Sequence, residues 1–539
     1  MSRQRRPSAH SAAASFRAPA RIAGACFIAA CLNACGGTLW NTRQPATAPS
    51  YGYVDTSGTR LGSKVREAGA AHPGKSGFVL LHRGLDAFAT RIALIDAADR
   101  SIDMQYYIFR DDTTGSLIID RLLAAADRGV RVRLLLDDWG TSAMNDDDVA
   151  ALDAHPNIEI RLFNPNRHRS GFSRLAELAT NFARVNRRMH NKLLIADNQA
   201  AVIGGRNIGD EYFNATDVDF QDIDVLGAGP IANRCTGSFD AYWNSPFSVP
   251  IAELGRFDAS TEKLASLSVT LRRFAQSRAG SPRAEAMADS DIARALRSRW
   301  PRSVWADASL LQDAPDKVLD KAEEPAERFL GVNLAAQTES VRSELLVVSS
   351  YFVPGPAGVE FFGRKVRENV RVRILTNTLA ATDVWLVHAG YKKFRRPLLR
   401  AGVDLYELRP QARGDARIRK ILGATRSSLH GKAFVYDRKA VFVGSLNIDP
   451  RSMRQNTEVG LLVYSRELAE QVAGLFDRWT SPGSAYRVRL DRTVDGSEIL
   501  TWQGERAGRP VTLFSEPEAG FWRRLGANLF SALPIESQL

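Results

Sequence analysis

The chain has 539 residues, of which 44% are apolar and 24% charged. These are ordinary globular proportions, which exclude a disordered, collagen-like or disulfide-scaffold protein, and the length suits several domain-sized units. Lys and Arg outnumber Asp and Glu by 72 to 60, a net +12, so an anionic partner, either nucleic acid or phospholipid headgroups, fits the charge.

Residues 1–35 read as a targeting segment. Five arginines and no acid occupy the first 34 residues, and Ile22–Leu32 forms an apolar core. That core is shorter than the roughly 20 residues needed to span hydrocarbon, but it suits a signal peptide. It runs into Leu32-Asn33-Ala34-Cys35-Gly36, which is similar to a bacterial lipobox and implies lipidation at Cys35, with Cys31 as a second candidate. A plain secretion signal or an uncleaved anchor are the alternatives. Three of the four cysteines lie in this segment and only Cys235 remains in the body. No internal disulfide is therefore available, and Cys235 is expected as a small buried apolar residue. The localisation expected is the bacterial envelope, as a membrane-associated lipoprotein facing the periplasm.

Residues 36–75, rich in Gly, Ala, Pro, Ser and Thr, are expected as a tether. Residues 76–250 and 326–482 form two copies of one unit, 251–325 a helical connector and 483–539 a tail. The copies are visible as an internal repeat. Val130–Arg133 recurs as Val370–Arg373, and His190, Lys192, Asp197, Gly204 and Asn207 recur as His430, Lys432, Asp437, Gly444 and Asn447, all in one register. In each copy an apolar strand (Ile102–Phe109; Leu345–Phe352), a helical stretch and a second strand follow in order, which argues for an α/β layer architecture twice over.

Each copy carries His-x-Lys-(x4)-Asp-(x6)-Gly-[Gly/Ser]-x-Asn, with Gly205 in the first copy where the second has Ser445. The apolar runs flanking Asp197 and Asp437 predict a hairpin with the Asp near its turn. On a strand, His and Lys two residues apart project from one face. Burying such a pair is costly without an anion between them. Two copies facing each other would place His190, His430, Lys192 and Lys432 around one phosphate, with Asn207 and Asn447 donating. That suffices for displacement at phosphorus with no metal or other cofactor: one neutral His attacks and the other, protonated, supplies the leaving group's proton. No His-x-x-x-His, Cys-x-x-Cys or Gly-x-Ser-x-Gly spacing competes.

The doubled motif resembles the phospholipase D superfamily. Asn447-Ile-Asp449-Pro-Arg451-Ser452 through Asn456-Thr-Glu458 is similar to its cardiolipin synthase branch. Ala380–Asp383, Val387–Tyr391 and Leu533–Glu536 are similar more narrowly to the C type of that branch. The resemblance implies an α/β fold of two tandem phospholipase D-like domains with mixed sheets, packed with pseudo-two-fold symmetry around a shared active site. It implies a phosphatidyltransferase acting through a phosphohistidine on phosphatidylglycerol and a second phospholipid. His190 would then be the nucleophile and His430 the acid, then the base, although the order could be reversed. An acid 25–30 residues beyond each His would orient it: Glu458 for His430, and Asp222 in the first copy for His190. Hydrolysis of phospholipid or nucleic acid uses the same chemistry with water as acceptor, and a non-catalytic lipid-binding envelope protein is a third reading. The partners expected are anionic phospholipids and a membrane surface, not nucleic acid.

Several features fit two readings. His388 is equally a structural or a functional residue. The basic runs Arg167–Arg169, Arg187–Arg188, Lys392–Arg396 and Arg417–Lys420 are solvated faces or lipid contacts. Phe521–Leu533 is an interfacial membrane helix or one docked on the protein's own core.

Overall fold

The computed structural model describes residues 48–141, 144–166, 182–214, 218–255, 257–319, 329–410 and 426–531. The leader with Cys35, the basic runs at 167–169 and 417–420, and the closing 532–539 lie outside the described residues.

An eighteen-stranded mixed sheet runs through the molecule. From one edge to the middle its strands are Ser248–Pro250, Ile158–Phe163, Arg131–Asp137, Ser101–Tyr106, Lys192–Ala196, Ala200–Gly204, Asp224–Ala228 and Ser76–Leu81. The second half repeats that order outward from the middle. It begins with Val304–Gln312, Val459–Tyr464, Ala440–Gly444 and Lys432–Tyr436, and continues with Glu344–Ser349, Arg371–Asn377, Asp404–Leu408 and Ala485–Arg492. Ser76–Leu81 and Val304–Gln312, the equivalent strands, pair antiparallel with each other. An antiparallel junction of equivalent strands is what a two-fold axis between the copies produces.

The expected strand–helix–strand order holds in both halves. Helix Thr113–Asp127 follows Ser101–Tyr106 and leads to Arg131–Asp137; helix Gly355–Arg367 follows Glu344–Ser349 and leads to Arg371–Asn377. The strands joined through these helices pair in parallel, as such crossovers require. Both faces of the sheet are covered, so its strands are apolar almost throughout. Cys235 is wholly buried in that core, and burial pushes its thiol up to about 12.

Three expected boundaries are corrected. Part of the tether is folded: Thr59 caps helix Arg60–Gly69, and the Tyr53 ring lies under Arg100 and Arg131. The connector carries helices, but it also supplies Val304–Gln312, the strand that joins the two halves. Its near-continuous half-buried surface hides the period-2 alternation by which a strand is recognised. The tail begins within the second sheet, since Ala485–Arg492 pairs with Asp404–Leu408 and is followed by the hairpin Glu498–Arg506 and Arg509–Leu513.

Candidate active site

The His-x-Lys segments enter the hairpins Lys192–Ala196/Ala200–Gly204 and Lys432–Tyr436/Ala440–Gly444. At each turn two consecutive residues have positive φ, Asp197 and Asn198 in one half and Asp437 and Arg438 in the other, the requirement of a type I′ hairpin turn. Asp197 accepts from the backbone N–H groups of Asp99, Arg100 and Ser101. Asp437 does the same for Arg342, Ser343 and Glu344. The signature aspartates thus tie each turn to the start of the neighbouring strand, and neither lines the cavity described below.

At the opposite end of these strands the two halves meet a second time. Val218–Gln221 pairs in parallel with Arg426–Leu429, and Met189 forms a parallel bridge with Thr457. The His190 N–H donates to the Thr457 carbonyl and the His430 N–H to the Gln221 carbonyl, each at 2.9 Å. The next residue after each acceptor is an acid, and it reaches the histidine just named. Glu458 Oε2 lies 2.9 Å from His190 Nδ1, and Asp222 Oδ2 lies 2.6 Å from His430 Nδ1.

The expected pairing is therefore crossed: Glu458 serves His190 and Asp222 serves His430. The reason is strand spacing. Within its own sheet Glu458 precedes a strand two places from that of His430, about 10 Å away, whereas the bridge across the axis sets it beside His190. A carboxylate beside each Nδ1 favours the tautomer protonated there, with Nε2 as the nucleophilic or proton-carrying nitrogen.

Gly205 and Ser445 match these acids. A Cβ on Gly205 would lie 2.1 Å from Asp222 Oδ1, so the shorter acid occupies the space a side chain would need. In the other half the Ser445 hydroxyl donates to Glu458. Gly204 and Gly444 allow close strand approach, since a Cβ at either would fall about 2.5 Å from facing backbone.

Both imidazoles line one cavity of about 460 Å³ between the halves, together with Asn207 and Asn447. Asn207 accepts from the Ile108 N–H, and Asn447 is fixed by the Ser350 hydroxyl. Lys192 Nζ donates to the His190 carbonyl, and Lys432 Nζ sits 3.1–3.2 Å from the His430 ring nitrogens. Burial drives both ammonium groups below their ordinary range, Lys192 far below.

The two histidines differ in their electrostatics. Burial, Lys192 and Lys432 push His190 well below the usual imidazole value. His430 is lowered by burial and Lys432, but Asp222 opposes the shift. Burial raises Glu458 to about 7, against the pull of Lys192. Asp222 is held below the usual carboxylate range: burial works to raise it, and the His430 and Lys432 charges overcome that.

Sequence reasoning left out the aromatic collar. Tyr107 meets His190 edge-on at 5.2 Å, Tyr212 meets His430 edge-on at 5.1 Å, and Phe220 stacks on His430. Arg451 lines the cavity and crosses the axis to the side chain and carbonyl of Asn186, at 2.7 Å each. Asp383 and Val387, from segments singled out only for resemblance, form part of the wall, with Trp139, Val384 and Leu386 adding apolar surface. The signal for Tyr107 was its place at the end of a strand leading into the site; Phe220 and Tyr212 carried none. His388 proves structural: its Nε2 lies 2.9 Å from Arg395, in a buried cluster with Glu516. No His, Cys, Asp and Glu cluster suited to a metal ion occurs among the described residues.

A two-half sheet with a paired His-x-Lys site on its axis defines a phospholipase D-type enzyme. A family model described as "Cardiolipin synthase, PLD-like domain" matches residues 92–243 and 334–480, and the chain belongs to that family. It is 39% identical to cardiolipin synthase C of Escherichia coli K12, over 88% of this chain and 99% of that one. It is 34% identical to an uncharacterized Helicobacter pylori protein over 93% and 97%, and 25% identical to Escherichia coli K12 cardiolipin synthase B over 72% and 76%. The fold is also that of Haemophilus influenzae phosphatidylserine synthase, with a TM-score of 0.54 at 13% identity, covering 88% of this chain and all of that one.

Proposed function

We propose that the protein transfers a phosphatidyl group from phosphatidylglycerol, through a phosphohistidine, to the hydroxyl of a second phospholipid, forming cardiolipin. The observation that carries this reading is the crossed pair of carboxylate-oriented histidines in one cavity. His190, the more strongly depressed imidazole, attacks phosphorus through Nε2. The P–N bond forms as the P–O bond to glycerol breaks, and His430 gives its Nε2 proton to the departing alkoxide. Ionised Asp222 favours that protonated His430. Neutral His430 then takes the proton of the acceptor hydroxyl, whose oxygen displaces His190 from phosphorus.

Lys192, Lys432 and the amide groups of Asn207 and Asn447 balance charge on the non-bridging oxygens, and a bound phosphate restores the protonation that burial disfavours in the lysines. The apolar wall of Trp139, Val384, Leu386 and Val387 suits a lipid acceptor over nucleic acid. The lipobox-like Cys35 supports anchoring in the bacterial envelope, facing the periplasm.

The test is the lipid extract of a cardiolipin-null strain expressing the wild type or His430→Ala. Cardiolipin with the wild type alone is expected; phosphatidic acid in its place would assign hydrolysis and overturn transfer.

A further inference from the structure

Helix Phe521–Ser531 has two apolar faces, and among the described residues only one of them is covered. The inner face packs on helix Trp385–Lys392. Ala527 is wholly buried there, Phe530 meets Trp385 edge-on at 5.1 Å, and Gly526 lies against the Trp385 ring. Arg523 donates to the Thr382 carbonyl. Just upstream Glu516 is bound to buried Arg395 at 2.8 Å, which fixes where the helix begins.

The outer face is Phe521, Trp522, Leu525 and Leu529, which fall within about 100° of arc at 3.6 residues per turn. They are 69, 79, 42 and 66% exposed. A single exposed leucine needs no explanation, but four large apolar side chains in one arc form a patch that marks an interaction site. Basic groups accompany it: Arg524 lies on the same helix, Lys392 reaches Asn528 of that helix, and residues 519–531 contain no acid. The patch is also continuous with the site. Helix Trp385–Lys392 turns Trp385 toward the terminal helix and Leu386 and Val387 toward the cavity, while Val384, at the cavity mouth, is 38% exposed. One helix thickness, about 10 Å, separates the patch from the cavity wall.

We infer that the outer face of helix Phe521–Ser531 is a docking surface for an anionic phospholipid bilayer, which holds the cavity mouth at the lipid surface. The aromatic and leucine side chains enter the acyl boundary while Arg524 and Lys392 stay at the phosphate level, the arrangement of an interfacial helix. That the bound surface is also the substrate source rests on the phospholipid reading above. The docking itself does not depend on turnover.

The experiment uses the full chain mixed with phosphatidylglycerol/phosphatidylcholine vesicles, with and without brominated acyl chains. Tryptophan emission is compared between the wild type and Trp522→Phe, so that the difference isolates one of the nine tryptophans. The expected result is bromine quenching of the Trp522 component. This quenching is abolished by Leu525→Asp/Leu529→Asp, retained in His430→Ala, and accompanied by about fivefold or more weaker binding on phosphatidylcholine alone. An unchanged circular dichroism spectrum and melting curve establish that the double variant is folded. Absence of Trp522 quenching, equal quenching on neutral vesicles, or a dimer that the double variant dissolves would overturn the proposal. Failure to make cardiolipin with quenching intact would overturn the catalytic reading alone.

Discussion

At the scale of single residues, the crossed carboxylates assign separate consequences to Glu458 and Asp222. His190→Ala and His430→Ala are each expected to lower turnover at least about 10³-fold. Asp222→Asn weakens the imidazole that protonates the leaving group, so a phosphodiester with a nitrophenolate leaving group recovers most of the first-step rate. Glu458→Gln acts on the attacking imidazole and gains no such recovery. Measuring the initial burst for both substrates distinguishes the two, and recovery in Glu458→Gln would reverse the roles of the histidines.

Glu458 also ties stability to pH. Its folded value of about 7 stands above its ordinary 4.5, so the folded state binds this proton more tightly than the unfolded chain. Stability contributed here is present below about pH 4.5 and is lost as pH rises to about 7. Melting temperatures of wild type and Glu458→Gln are expected to converge toward pH 4.5, with the wild type falling more steeply between pH 5 and 7.

Among the secondary-structure elements, the two hairpins solve one geometric problem with different residues. Gly205 with Asp222 and Ser445 with Glu458 are matched sets. Gly205→Ser is therefore expected to displace Asp222 and lower activity about 10²-fold or more, with partial recovery in Gly205→Ser/Asp222→Glu measured on the same substrate. The turn aspartates carry stability. Asp197→Ala leaves three backbone donors at Asp99–Ser101, that of Ser101 buried, without their acceptor and is expected to cost about 1–3 kcal/mol in denaturant unfolding.

The hairpins, the strand–helix–strand units and the paired histidines and asparagines that line the cavity were legible in the sequence, because each is encoded within a few neighbouring positions and appears twice in register. The acid partners were assigned to the wrong histidines because hydrogen bonds across the axis leave no trace in spacing along the chain. Val304–Gln312 was hidden in a stretch read as helical, since a strand with neighbours on both sides carries little alternation.

For the molecule as a whole, that strand holds the halves together. It pairs with Ser76–Leu81 through its first residues and with Val459–Tyr464 through the rest. Leu311→Pro removes a ladder donor from its second half. The expected outcome is loss of turnover and a melting curve that separates into two transitions, each half unfolding by itself. A single transition at wild-type temperature would show that the second junction, Val218–Gln221 with Arg426–Leu429, suffices alone.

The exchange of acids across the axis also decides how genetic variation in this protein should be interpreted. A substitution beside Asp222 registers chemically at an imidazole more than 200 positions downstream, and one beside Glu458 at an imidazole as far upstream. Epistasis will therefore be strongest between opposite ends of the gene, and either end expressed by itself would present a histidine lacking its proton anchor.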